Sequence, residues 1–180
     1  MLRNDMLSLP DNWEKILEQM MLRRPIGIRC ERMYICSPCR AGTPDGVIRN
    51  MMAARVYMFY TYQYFPGVPK APHAYLPVLL SDSYEDDRRL ALSFGSEFLR
   101  QCDKLFVCGD RLSEGMYGEI TNAAEHSIPI LVFNREVFCE LRERFICDGL
   151  DPETIHYDSG ELHFALIWGA DTLAPYWEEA

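Results

Sequence analysis

The chain has 180 residues, 48% of them hydrophobic, and a formal net charge of −9. That length predicts one domain with short extensions. The acid excess argues against the clustered Lys and Arg surface that neutralises phosphates, so no nucleic-acid polymer is expected as a partner. No apolar run approaches the ~20 residues of a membrane helix, and residues 1–10 lack the charged-then-apolar layout of a secretory signal. The expectation is a cytoplasmic protein with no membrane partner.

Residues 11–22 read as a short helix with Trp13, Ile16, Leu17 and Met20 in one stripe, ended by Pro25. The basic cluster Arg23, Arg24, Arg29 and Arg32 reads as a solvated connector. Residues 33–36 form a short apolar run suited to a buried first strand. A polar loop follows over 37–46, in which Thr43 is a candidate N-cap and Pro44 takes the first helical position. Val47, Met51, Ala54 and Met58 then recur at helical spacing until Pro66-Gly67. The second strand is placed at 74–80, although Pro77 removes one ladder donor there. Residues 83–101 read as a helix with Leu90, Phe94 and Phe98 along one side. A third strand (104–108), a helix (113–126), a β-prone fourth strand (128–133) and another helix (135–147) complete the pattern. In the tail, 155–157 and 164–168 are possible short strands.

Strands alternating with helices imply βαβ units: an α/β, doubly wound parallel sheet of four to five strands, flavodoxin- or Rossmann-like. The organisation read from this is an N-terminal extension and linker over 1–32, the α/β domain over 33–147, and a tail over 148–180 that packs on it. Ligands of such sheets bind beyond the carboxyl ends of the strands, which directs attention to the loops after strands one and three.

Seven cysteines, scattered through apolar stretches, suit a reducing compartment. Cys36-Ser37-Pro38-Cys39 has redox or zinc spacing, but no second pair or spaced histidines completes a tetrahedral site. The reading is packing cysteines, with no metal and no cofactor. The first loop leads into a helix N-terminus, where free N–H groups favour an anion and Arg40 could add a bidentate contact; an ordinary turn with a solvated Arg is the alternative. In the second, Ser113 is a natural N-cap, and Glu119 shares a helix face with Met116 and Ala123. A carboxylate turned toward a sheet is costly unless satisfied or used. On spacing alone, solvated, capping and catalytic roles all remain open for it.

Taken together, Tyr34-Ile35-Cys36-Ser37-Pro38-Cys39-Arg40-Ala41-Gly42 and Ser113, Gly115, Glu119-Ile120-Thr121-Asn122-Ala123 resemble the nucleoside 2-deoxyribosyltransferase superfamily. That superfamily includes 2'-deoxynucleoside 5'-monophosphate N-glycosidases. Cys102-Asp103 resembles the step before its third strand, and the likeness runs over about 33–134. A branch of unknown function, with Ala-Pro-His after the first helix and Cys-Asp before strand three, looks more similar still.

The resemblance implies that Glu119 is the nucleophile at C1' of a deoxyribosyl group, the ester then being resolved by another base or by water. It implies that Ser113 and Arg40 hold a 5'-phosphate, that N–H groups near Gly42 assist, and that Tyr34 lies near the sugar or the carboxylate. Ser37, His73 and Gly115 complete the candidate substrate-binding set. The implied partner is a small nucleoside or nucleotide, and a homo-oligomer (dimer or higher) is expected, because the family often completes its site from a neighbouring subunit. One departure stands out. The family carries an Asp eight residues before the Asp that opens strand three, where it helps manage the leaving base, and here that position is Gly95. Either Asp82, Asp86, Asp110 or His73 supplies the proton from elsewhere, or the protein binds without that chemistry. Two readings follow: an N-glycosidase or deoxyribosyltransferase, or a non-catalytic nucleotide-binding protein of the same fold that senses or sequesters its ligand.

Overall fold

The computed structural model describes residues 31–81, 84–160 and 166–167, so the helix expected over 11–22 and the candidate Asp82 lie outside them. Five strands form one all-parallel sheet: β1 (Glu31–Cys36), β2 (Gly67–Lys70), β3 (Lys104–Val107), β4 (Ile130–Val132) and β5 (Ile155–Tyr157), in the spatial order β2-β1-β3-β4-β5. The helices between them are α1 (Pro44–Tyr64), α2 (Glu85–Leu99), α3 (Glu114–Glu125) and α4 (Arg135–Cys147). This is the doubly wound architecture that the alternation predicts.

Strand alternation sorts the core into two layers. Tyr34 and Cys36 of β1 face Met116 and Ile120 of α3 and Leu141 and Phe145 of α4. Met33 and Ile35 face the other way, toward Ala54 and Tyr57 of α1 and the buried Leu166. Side chains cap the helices where the sequence offers them. Thr43 accepts from the Gly46 N–H at 3.1 Å with Pro44 just inside α1, and Asn134 accepts from the Glu136 and Val137 N–H groups at 2.8 and 3.1 Å. At the amino end of the sheet, the Arg32 N–H donates to Asp103 Oδ2 at 2.7 Å, and the Asp103 N–H returns a bond to the Arg32 carbonyl at 2.7 Å.

Three expectations are corrected or refined. The second strand is Gly67–Lys70; the stretch placed there instead forms two 3-10 turns, Pro72–Ala74 and Leu76–Val78, so His73 sits in a turn and not at a strand start. Pro72 is the first residue of one turn and Pro77 the second of the other, first-turn positions where a missing N–H costs nothing. Gly67 opens β2 because a Cβ there would lie 2.5 Å from the Glu31 carbonyl oxygen, and Pro69 is tolerated because β2 is an edge strand. The second point refines α2: Phe94 and Phe98 do share a side, with their rings stacked, but Leu90 and Phe94 are exposed and the buried residues of the helix are Gly95 and Leu99. The helix turns its smallest residue inward, where it passes close to Tyr34 and Glu119. Finally, Leu166 and Ile167 are helical where a strand was possible; the neighbouring residues of that run lie outside those described. Among the described residues no helix is long and apolar enough to cross a membrane.

Candidate functional site

The loops after β1 and β3 meet. Gly109 has a φ of +98°, a left-handed conformation that favours glycine, and its Cβ position lies 3.3 Å from Pro38 Cδ. A side chain there would be strained by the backbone and pressed against the opposite loop.

Beneath this junction lies a buried acid pair. The Tyr34 hydroxyl donates to Glu119 Oε1 at 2.7 Å, joining β1 to the second turn of α3. Tyr34 is fully buried, because its ring fills the sheet-facing layer, whereas Glu119 retains partial exposure. Cys36, two residues along the same face of β1, donates to the Met116 carbonyl at 3.8 Å and stands beside the carboxylate. Burial pushes the Glu119 carboxyl up to about 7, and the bonds from Tyr34 and Cys36 oppose that rise by favouring the ionised form. Burial first, and the Glu119 charge second, hold the Tyr34 hydroxyl and the Cys36 thiol well above their usual values. The result is a carboxyl group that changes charge near neutrality, flanked by two donors that keep their protons.

A second pair sits on the other side of β1. Ser37 Oγ and His73 Nε2 are 2.8 Å apart, both residues buried. Burial lowers the His73 imidazole to about 4, so it is neutral at physiological pH. Its turn is anchored by Arg55 of α1, whose Nε and Nη2 donate to the Ala74 carbonyl at 3.1 and 3.0 Å.

The remaining candidates lie on the rim. Ser113 caps α3 by accepting from the Met116 N–H at 3.3 Å. Arg40, Gly42 and Gly115 are exposed, and a Cβ on either glycine would meet nothing within 4 Å, so space beside both is open. The structure thus joins Tyr34 with Glu119 and Ser37 with His73, and leaves Arg40 and Gly42 in the loop after β1 and Ser113 and Gly115 at the start of α3, with no contact to either pair shown. Two neighbours of Glu119 were not among the sequence candidates. Cys36 was read as packing, although alternation from Tyr34 already put it on the same face. Gly95 was noted only as a missing acid, yet its Cβ position is 3.5 Å from the Tyr34 hydroxyl and 4.0 Å from Glu119 Oε1. Among the described residues no group of three or more His, Cys, Asp or Glu is arranged to hold a metal.

A 2-1-3-4-5 parallel sheet with polar side chains gathered beyond β1 and β3 defines a flavodoxin-like α/β domain with a candidate site at its topological switch point. The chain belongs to the family described as a domain of unknown function, DUF7768, whose model matches residues 31–133 and so spans β1 to β4 and every candidate above. No curated protein matches it.

Proposed function

We propose that the protein is an N-glycosidase or deoxyribosyltransferase acting on small nucleosides or nucleotides, with Glu119 as the nucleophile at C1'. The observation that carries this is the Tyr34–Glu119 pair: a carboxyl group with partial solvent access, poised near neutrality, held by a 2.7 Å bond at the carboxyl edge of the sheet. A nucleophile must be ionised and aimed, and the tyrosine serves both needs. Covalent capture of the sugar and its later release to water or to a second base follow the retaining pattern. Arg40, Ser113 and the open space at Gly42 and Gly115 would receive the polar end of the substrate at the start of α1 and α3. Ser37 and His73, buried on the other side of β1, would brace the loop after β1 and not touch the substrate.

The test is incubation of the purified protein with nucleosides and their monophosphates, followed by chromatography for free base. Glu119→Gln should lower release roughly a thousandfold or more; release at the wild-type rate would remove Glu119 from the reaction. The second reading, a nucleotide sensor without turnover, is favoured by one observation, the bare Gly95 beside the carboxylate. Calorimetric binding of a nucleotide without base release would select it.

A further inference from the structure

The loop between β1 and α1 is held at successive points. Ser37 Oγ pairs with His73 Nε2 at 2.8 Å, and Pro38 Cδ lies 3.3 Å from the Cβ position of Gly109 in the loop after β3. Ala41 packs so closely on the start of α1 that a Cβ added to Gly46 would lie 2.6 Å from its own. Between these points the side chain of Asn50 reaches out from the second turn of α1. Its Nδ2 donates to the Cys39 carbonyl at 3.0 Å and to the Arg40 carbonyl at 3.3 Å. An amide NH2 carries two N–H bonds, one for each of these acceptors. The two carbonyls belong to the peptide units on either side of the Arg40 Cα. Each unit is planar, and none among the described residues is cis. Holding both carbonyls therefore restrains φ and ψ of Arg40, and with them the direction in which its side chain leaves the backbone. Arg40 is exposed. On an unrestrained loop, such a residue would lose backbone as well as side-chain freedom on meeting a ligand, and binding would be weaker by that amount.

We propose that Asn50 is a positioning residue for substrate binding: it sets the backbone at Arg40 in advance, so that the guanidinium meets the phosphate of a nucleotide at reduced entropic cost. The proposal rests on the reading above in which Arg40 receives the polar end of the substrate. Asn50 itself touches no substrate. Its influence passes through two carbonyls to one side chain, so it acts on the phosphate end of a ligand and leaves the sugar and base alone. A residue that only supported the fold would affect every ligand of the site alike.

The experiment measures dissociation constants of the common 2'-deoxynucleosides and of their 5'-monophosphates by calorimetry, with kcat and KM for base release from the same compounds. The proteins are the wild type, Asn50→Asp, Asn50→Ala, Arg40→Ala and the double variant Asn50→Asp with Arg40→Ala. Asn50→Asp keeps the shape of the side chain but sets carboxylate oxygens against the two carbonyls. Asn50→Ala removes the donors without adding charge and covers the case in which the charged variant does not fold. Either should weaken monophosphate binding about tenfold or more, the loss expected when one charge-assisted hydrogen bond is misplaced. KM for the monophosphates should rise in step while kcat holds, and nucleoside binding should stay as in the wild type. In the Arg40→Ala background, Asn50→Asp should add little, because the two residues act through one contact. Equal losses for nucleosides and monophosphates in a folded Asn50 variant would overturn the proposal, as would fully additive effects of Asn50→Asp and Arg40→Ala. Base release with no preference for monophosphates would overturn it and leave the N-glycosidase reading standing. Monophosphate binding without base release would overturn that reading, and the dissociation constants alone would then judge Asn50. Binding of none of these compounds would overturn both.

Discussion

Two polar pairs flank the carboxyl end of β1 on opposite sides of the sheet, Tyr34 with Glu119 and Ser37 with His73. Burial acts on both and drives each titrating group toward its neutral form, raising the carboxyl to about 7 and lowering the imidazole to about 4. The consequences for stability run in opposite directions. Glu119 binds its proton more tightly folded than unfolded, so its cost grows as pH rises from about 4.5 to about 7 and stays above that. His73 binds its proton less tightly folded, so stability falls as pH drops from about 6.5 to about 4. The pairs also differ in access: His73 is closed in among protein atoms, while Glu119 keeps part of its surface open to solvent. A sealed pair serves as scaffold. One that water can reach, and that sits uncomfortably charged at neutral pH, is suited to chemistry.

Separating the pairs by mutation tests this contrast. The largest change is expected from His73→Asn. Between pH 7 and 4 the wild type should lose about 3 kcal/mol through this residue, at 1.4 kcal/mol per pH unit. The variant should therefore gain that much relative to wild type as pH falls, read from urea unfolding across the range. Parallel pH profiles for the two proteins would show that His73 is not held neutral. Glu119→Gln should show the mirror image, no difference near pH 4 and a gain over wild type by pH 8. Full burial of the carboxyl would make that gain about 3 kcal/mol; the partial exposure of the residue admits solvent screening, and about 2 kcal/mol is the better figure. No gain at pH 8 would mean that the carboxylate is not destabilising. The smallest effect is that of Tyr34→Phe. Without its donor the carboxyl should rise further, moving the ascending limb of the pH–rate profile above pH 7 and lowering activity at pH 6 by roughly tenfold. An unmoved limb would detach the tyrosine from the titration.

Much of the fold could be read from periodicity and punctuation, because the buried strands of a parallel sheet are short apolar runs between breakers. Residues 155–157 and 135–147 coincide with β5 and α4. The second strand was missed because Pro66-Gly67 looks like a stop signal. Only the contact of Gly67 with the Glu31 carbonyl reveals that the same glycine starts a strand. The inward face of α2 was hidden for a related reason: apolarity pointed to Leu90 and Phe94, whereas closeness of approach selected Gly95. At the site, loop positions followed from topology, the helix face of Glu119 from spacing, and its candidate role from the resemblance alone. The pairings with Tyr34 and between Ser37 and His73 join residues 85 and 36 positions apart, and no local pattern encodes such contacts.

The proline in β2 has an effect beyond its own strand. A four-residue border strand bearing Pro69 makes a poor template for a foreign β-strand to lie alongside. When copies of this domain crowd together, that rim discourages edge-to-edge accretion.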